Sequence, residues 1–183
     1  MQNKNQRPVR TDHFYLYDET YWYIYIKTQY IYMSQSLSKL YIHIIFHVKD
    51  QSNTYIRNSD KDILYSYIGS IIKDNDSIPL IINGVEDHIH VFCIMSKNIA
   101  LAAFIKEIKR HSSRWLKNLD NYYKAFKWQG GYGGFSVSPS LYDKTFSYIK
   151  HQQKHHTTMS FKDEYLLFLK EYGVEYNEEY LWM

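Results

Sequence analysis

Cysteine is almost absent: Cys93 stands alone among 183 residues. That excludes a disulfide framework and a four-thiolate zinc site, and it fits a reducing compartment. No apolar run approaches the roughly 18 residues of a membrane span, and no apolar segment with a small-residue cleavage site follows the N-terminus. A soluble cytoplasmic protein with no membrane partner is therefore expected. Neither charge sign dominates, with 22 basic against 19 acidic residues. That balance and a hydrophobic share of 45% exclude wholesale disorder. Proline (3) and glycine (7) are scarce, so any cluster of glycines carries information.

Tyrosine is abundant, with 20 copies, and residues 1–32 hold seven of them but no Gly, Ala, Ser or Cys. The run Tyr21-Trp22-Tyr23-Ile24-Tyr25-Ile26 is what a TATATA repeat encodes, and Met33 follows it closely. We expect residues 1–32 to be an extension, either an upstream mis-start or an edge element. One domain is then expected over 33–183, a length that suits a single core. Charge is uneven along it. Residues 34–159 hold 16 basic and 10 acidic residues with eight of the nine His, whereas 160–183 hold two Lys against six acids. A basic centre points to a polyanion partner.

Hydrophobic periodicity predicts a strand from Leu40 to Lys49 and a helix from a cap at Asn58 or Ser59 to about Lys73. Strands follow at Ile78–Asn83 and His88–Met95, joined by the turn Gly84–Asp87, so this pair should be antiparallel. A long amphipathic helix capped by Asn98 runs to about Leu119. After a Gly-rich turn comes a short strand, Phe135–Ser138, then helices over Leu141 to about His156 and Phe161–Tyr172. The fold class that follows is α+β, with helices on an antiparallel sheet.

Four stretches could carry chemistry. In Asp87-His88-Ile89-His90 the two imidazoles lie two apart on a strand and share a face, which is half of a metal site or a pair of surface histidines. Asp87 orients an imidazole or forms the turn. Tyr148 and Gln152 are i, i+4 on a helix, where a tyrosine can be a nucleophile and an amide oxygen a ligand for a hard metal. The alternative for Tyr148 is packing against Phe146 or Tyr165. Lys106, Arg110 and Arg114 repeat at i+4, flanked by Lys109 and Lys117, giving a cationic helix face suited to phosphates or simply to water. Trp128-Gln129-Gly130-Gly131-Tyr132-Gly133-Gly134-Phe135 lacks the Gly-Lys-Ser/Thr ending of a P-loop. It suits a close backbone approach with stacked bases, or a plain turn.

In this order the stretches resemble the single-tyrosine HUH transposases of small prokaryotic insertion sequences, the 200/605 family. Ser38-Lys39-Leu40-Tyr41-Ile42-His43-Ile44-Ile45-Phe46, Asp87 to His90, Trp128 to Ser138, Tyr148-Ile149-Lys150-His151-Gln152 and Glu179-Tyr180-Leu181-Trp182 carry the likeness. The resemblance implies a ferredoxin-like, RRM-like HUH fold, a divalent metal on His88, His90 and Gln152, and Tyr148 as nucleophile. It also implies a homodimer acting on single-stranded DNA with hairpin ends, with active sites composite in trans. His151 stands where the family often has Asn. The run Gln152-Gln153-Lys154-His155-His156 offers another imidazole ligand.

The chemistry suits these residue types. A phenol of pKa about 10 needs help to attack phosphorus near neutral pH. A metal stabilises charge on the phosphate and the leaving 3′-oxygen: Mg²⁺ by abundance, Mn²⁺ by its match to imidazole. Attack leaves a 5′-phosphotyrosine on Tyr148 and a free 3′-hydroxyl. No general base is assigned, since Lys150 lies about 200° round the helix from Tyr148. A host repeat-processing nickase would share every site residue, and a non-catalytic single-strand-binding module would share the sheet and basic helix.

Overall fold

Strand β1 (Leu40–His47) is central. Its alternation puts Ile42, Ile44 and Phe46 on one face and Tyr41, His43, Ile45 and His47 on the other. The computed structural model describes residues 36–182; the expected extension 1–32 and the start at Met33 fall outside them. From Ser38 onward the chain is one compact unit. After β1 come α1 (Lys61–Asp74), β2 (Ile78–Gly84), β3 (His88–Met95), α2 (Leu101–Leu119) and β4 (Gly133–Ser136). The order across the sheet is β2-β3-β1-β4, with every pairing antiparallel. This is the ferredoxin-like βαββαβ arrangement that the family resemblance implies. Four short helices complete the described chain: α3 (Tyr142–Lys150), α4 (Gln152–His155), α5 (Phe161–Glu171) and α6 (Glu178–Leu181).

Helices α1 and α2 cover one face. Leu64, Ile68 and Ile72 from α1 and Phe104, Ile105 and Ile108 from α2 close over Ile44, Phe46, Ile89 and Val91, all 1% exposed or less. The opposite face lies under α3 and α5. There Ile149 packs with Phe92 and Val137, and Phe161, Tyr165 and Leu169 pack with Ile45 and Phe135.

Several local expectations shift. Asn98 does not cap α2; the helix starts at Leu101 behind Ala100, with no side-chain cap. The expected helix from Leu141 to His156 is two pieces broken at His151. Neither Pro nor Gly causes the break. Asn83 on β2 donates to the carbonyls of Ile149 (2.8 Å) and Lys150 (3.1 Å), taking up acceptors that α3 leaves open at its end. The turn between β2 and β3 needs its glycine: a Cβ on Gly84 would lie 2.2 Å from the His88 carbonyl oxygen.

Candidate active site

The site is built on the face of β1 and β3 that turns away from α1 and α2. Paired register sets His47 opposite His88 and Ile45 opposite His90, with His43 one step further along β1. His88 and His90 share this face, as their spacing predicts, but they are not surface residues. Both are fully buried, beneath α5. Asn83 pairs with His90 across the sheet, so its grip on the end of α3 holds Tyr148 and Gln152 above the histidines. Tyr148 packs against His90, His155 and Phe168, with ring centres 5.2–6.0 Å apart, and against neither Phe146 nor Tyr165 as the packing alternative required. Gln152 is fully buried.

These groups converge on a residue that sequence reasoning missed. Glu164, on the first turn of α5, is 1% exposed. Its Oε1 accepts from the Tyr148 hydroxyl and from Gln152 Nε2 (3.0 Å). Its Oε2 lies 3.5 Å from His88 Nε2, 3.4 Å from His90 Nε2 and 3.1 Å from His156 Nε2. Burial works against a charged carboxylate here, yet the imidazoles of His156 and His90 hold Glu164 far below the usual carboxylate range. Burial also raises Tyr148 far above the ordinary phenol range, and the neighbouring Glu164 adds to the shift. The proton between them therefore stays on the tyrosine oxygen, and Glu164 aims the phenol without deprotonating it.

Burial pushes His90 down to about 4 and His43 well below its ordinary value, so both are neutral at pH 7. Burial likewise works against a charged His156, but its bonds to Glu164 and the Met159 carbonyl raise it on balance. Asp87 takes the orienting role, with Oδ1 2.6 Å from His88 Nδ1.

A metal fits these residues. His88 Nε2, His90 Nε2 and Gln152 Oε1 are buried polar atoms without a hydrogen-bond partner. Such atoms are costly unless something satisfies them. Swapping the Gln152 amide ends would face two oxygens at Glu164, so the unpaired atom is the oxygen. Within one chain the histidines, the tyrosine and the glutamine come together.

The basic face of α2 lies on the other side of the sheet. Lys106, Arg110, Arg114 and Lys117 line an open groove of about 730 Å³ that Trp128 and Tyr132 also line. Lys109 turns inward: it donates to the carbonyls of Gln129 (2.8 Å) and Gly131 (2.5 Å), holding the Gly-rich turn, and burial pushes its pKa down to about 8. Arg110 is shared with Glu107 at 2.5 Å. No helix among the described residues is long and apolar enough to cross a membrane.

No curated protein matches the chain. Among solved structures, a candidate transposase from Deinococcus radiodurans R1 is similar at 19% identity and a TM-score of 0.49, over 66% of this chain and 98% of that one. A REP-associated tyrosine transposase bound to a REP hairpin is similar at 13% identity and a TM-score of 0.51, over 68% of this chain and 73% of that one. The fold is shared with that tyrosine transposase. The model of the family described as "Transposase IS200 like" matches residues 36–152, a span that holds both strand histidines, Tyr148 and Gln152. The chain belongs to the IS200-like transposase family.

Proposed function

We propose that this transposase cleaves and rejoins single-stranded DNA at the hairpin-bearing ends of an insertion sequence through a covalent bond to Tyr148. The convergence of the Tyr148 hydroxyl with the unpartnered nitrogens of His88 and His90 carries this reading. His88, His90 and Gln152 would hold a divalent ion, Mg²⁺ or Mn²⁺. When bound, that ion supplies charge stabilisation for the phosphate and for the departing 3′-oxygen.

The chain's own residues do the rest. Glu164 and the packing of Phe168 hold the phenol over His90. Tyr148 Oη bonds to phosphorus as the bond from phosphorus to the 3′-oxygen breaks. The phenolic proton ends on the 3′-hydroxyl, and a 5′-phosphotyrosine remains. The phosphotyrosine bond keeps the energy of the broken linkage, so a second 3′-hydroxyl reverses the step and joins new ends. Joining two ends calls for two such sites, which a homodimer supplies. Lys106, Arg114 and Lys117 contact phosphates from the groove on α2, with Arg110 joining when it leaves Glu107. Lys109 acts there by holding the loop.

The test is incubation with labelled single-stranded DNA from the flanks of its own gene, with and without Mn²⁺. A denaturation-resistant protein–DNA band should form, and Tyr148→Phe should abolish it with little loss of DNA affinity. An undiminished band in that variant overturns the assignment. Losing Lys106 and Arg114 together should lower the log–log salt slope of binding by about 1.4, at about 0.7 per single-strand phosphate contact.

A further inference from the structure

The buried cluster holds more donors than the two strand histidines and Gln152, and the extra ones are arranged as ligands are. His88 Nδ1 faces Asp87 Oδ1 at 2.6 Å, and His156 Nδ1 faces the Met159 carbonyl at 2.9 Å. A carboxylate and a carbonyl only accept, so each imidazole donates from Nδ1 and turns its Nε2 inward, where that of His156 also bonds to Glu164 Oε2 at 3.1 Å. His90 Nδ1 is engaged by His43 Nε2 at 2.9 Å, which leaves its Nε2 inward as well. Pinning the outer nitrogen to an acceptor is how proteins orient metal-ligating histidines.

All three Nε2 atoms surround one oxygen, Glu164 Oε2, at 3.1–3.5 Å. Atoms bound to one metal at about 2.0–2.2 Å sit roughly 3.0–3.5 Å apart in octahedral or tetrahedral geometry. Ligand atoms of His88, His90, His156 and Glu164 all lie within 4.8 Å of one another. The side chains of Glu164 and His156 are 1% and 9% exposed, so water does not serve these atoms as it would on a surface.

We infer that His156 and Glu164 are metal ligands of this chain, joining His88, His90 and Gln152 in a centre with three imidazoles, one amide oxygen and one carboxylate. The inference rests on the reading of His88 and His90 as metal ligands proposed above. It also selects the ion. Three imidazoles suit Mn²⁺, Co²⁺ or Zn²⁺, whereas Mg²⁺ prefers a shell of oxygens. Glu164 then joins the metal to the nucleophile, because its other oxygen accepts from Tyr148 and Gln152.

Metal-stripped full-length protein is titrated with Co²⁺, followed by calorimetry and visible absorption, with circular dichroism to confirm folding. His156→Ala and Glu164→Gln should each weaken Co²⁺ binding by more than the roughly 10- to 100-fold that follows loss of a group behind a ligand. Mg²⁺ in large excess should not displace Co²⁺ from the wild type. Unchanged affinity in both variants, with a loss in His88→Ala, overturns the inference and leaves the two-histidine reading standing. Unchanged affinity in His88→Ala overturns both. Should a variant fail to fold, the wild type decides alone. The Co²⁺-loaded protein should show three exchangeable, paramagnetically shifted imidazole N–H resonances, and a count of two removes His156 from the centre.

Discussion

The two faces of the sheet come from the same strands, one residue out of step, and they hold opposite chemistry. On β3, Ile89, Val91 and Cys93 enter a dry aliphatic core under α1 and α2, while His88 and His90 enter a polar one under α3 and α5. Both faces are closed to water. One is closed because apolar groups leave water favourably. The other is closed although four histidines, a glutamine and a glutamate must be desolvated with it, which costs free energy unless they are paired. The first face holds the larger apolar cluster, and the second, beside its two smaller ones, gives up some stability to set out its donors.

The largest test of this contrast is Phe46→Ala. Phe46 is fully buried and packs edge-on against Trp128 at 4.8 Å. Its loss should cost about 3–5 kcal/mol in urea denaturation. A cost below 1 kcal/mol would show that the aliphatic face does not carry the fold.

A smaller effect belongs to the polar face and to pH. Burial pushes His47 down to about 4. A lowered folded pKa means that the unfolded chain binds more protons between about 6.5 and 4. His47 therefore loses stability as the pH falls through that window, by up to about 3 kcal/mol, and none above it. His43 and His90 act in the same direction, and His156, raised on folding, opposes them. Urea denaturation of chelated protein at pH 7 and pH 5 should show the fall, and His47→Asn should reduce it. A stability that rises on acidification would refute the sign.

The smallest expected effect restores balance to the polar face. Divalent metal at 100 times its Kd should stabilise the wild type by about 2.7 kcal/mol. His88→Ala should lose that gain, while Phe46→Ala should keep it on a lower baseline. Thermal unfolding with and without Mn²⁺ measures both.

The alternation in His88–Met95 gave that strand its bounds and set both histidines on one side, because period-2 patterning is local. Glu164 was hidden. In Phe161-Lys162-Asp163-Glu164 it reads as one more acid suited to the first turn of a helix, and Asp163 is indeed the residue that Ser160 caps. The signal was its place on the stripe shared by Phe161, Tyr165 and Phe168, where a solvated acid does not belong. At the break the His151 ring bonds to the Ser147 carbonyl four residues back, and Asn83, from a strand far away in sequence, takes the carbonyls of Ile149 and Lys150. The inward turn of Lys109 was equally invisible, since an i, i+4 basic pattern does not reveal which ammonium the loop carbonyls will capture.

The basic groove and Tyr148 lie on opposite sides of one sheet, and β4, the edge strand beside the Gly-rich turn, is only four residues long. On the proposed function, DNA held in the groove would reach the tyrosine only by passing round an edge of the sheet. Substrate length thus becomes a property that the fold dictates. An oligonucleotide too short to round that edge can occupy one side or the other, and adding nucleotides between duplex and cleavage point should switch reaction on at a threshold and not by degrees.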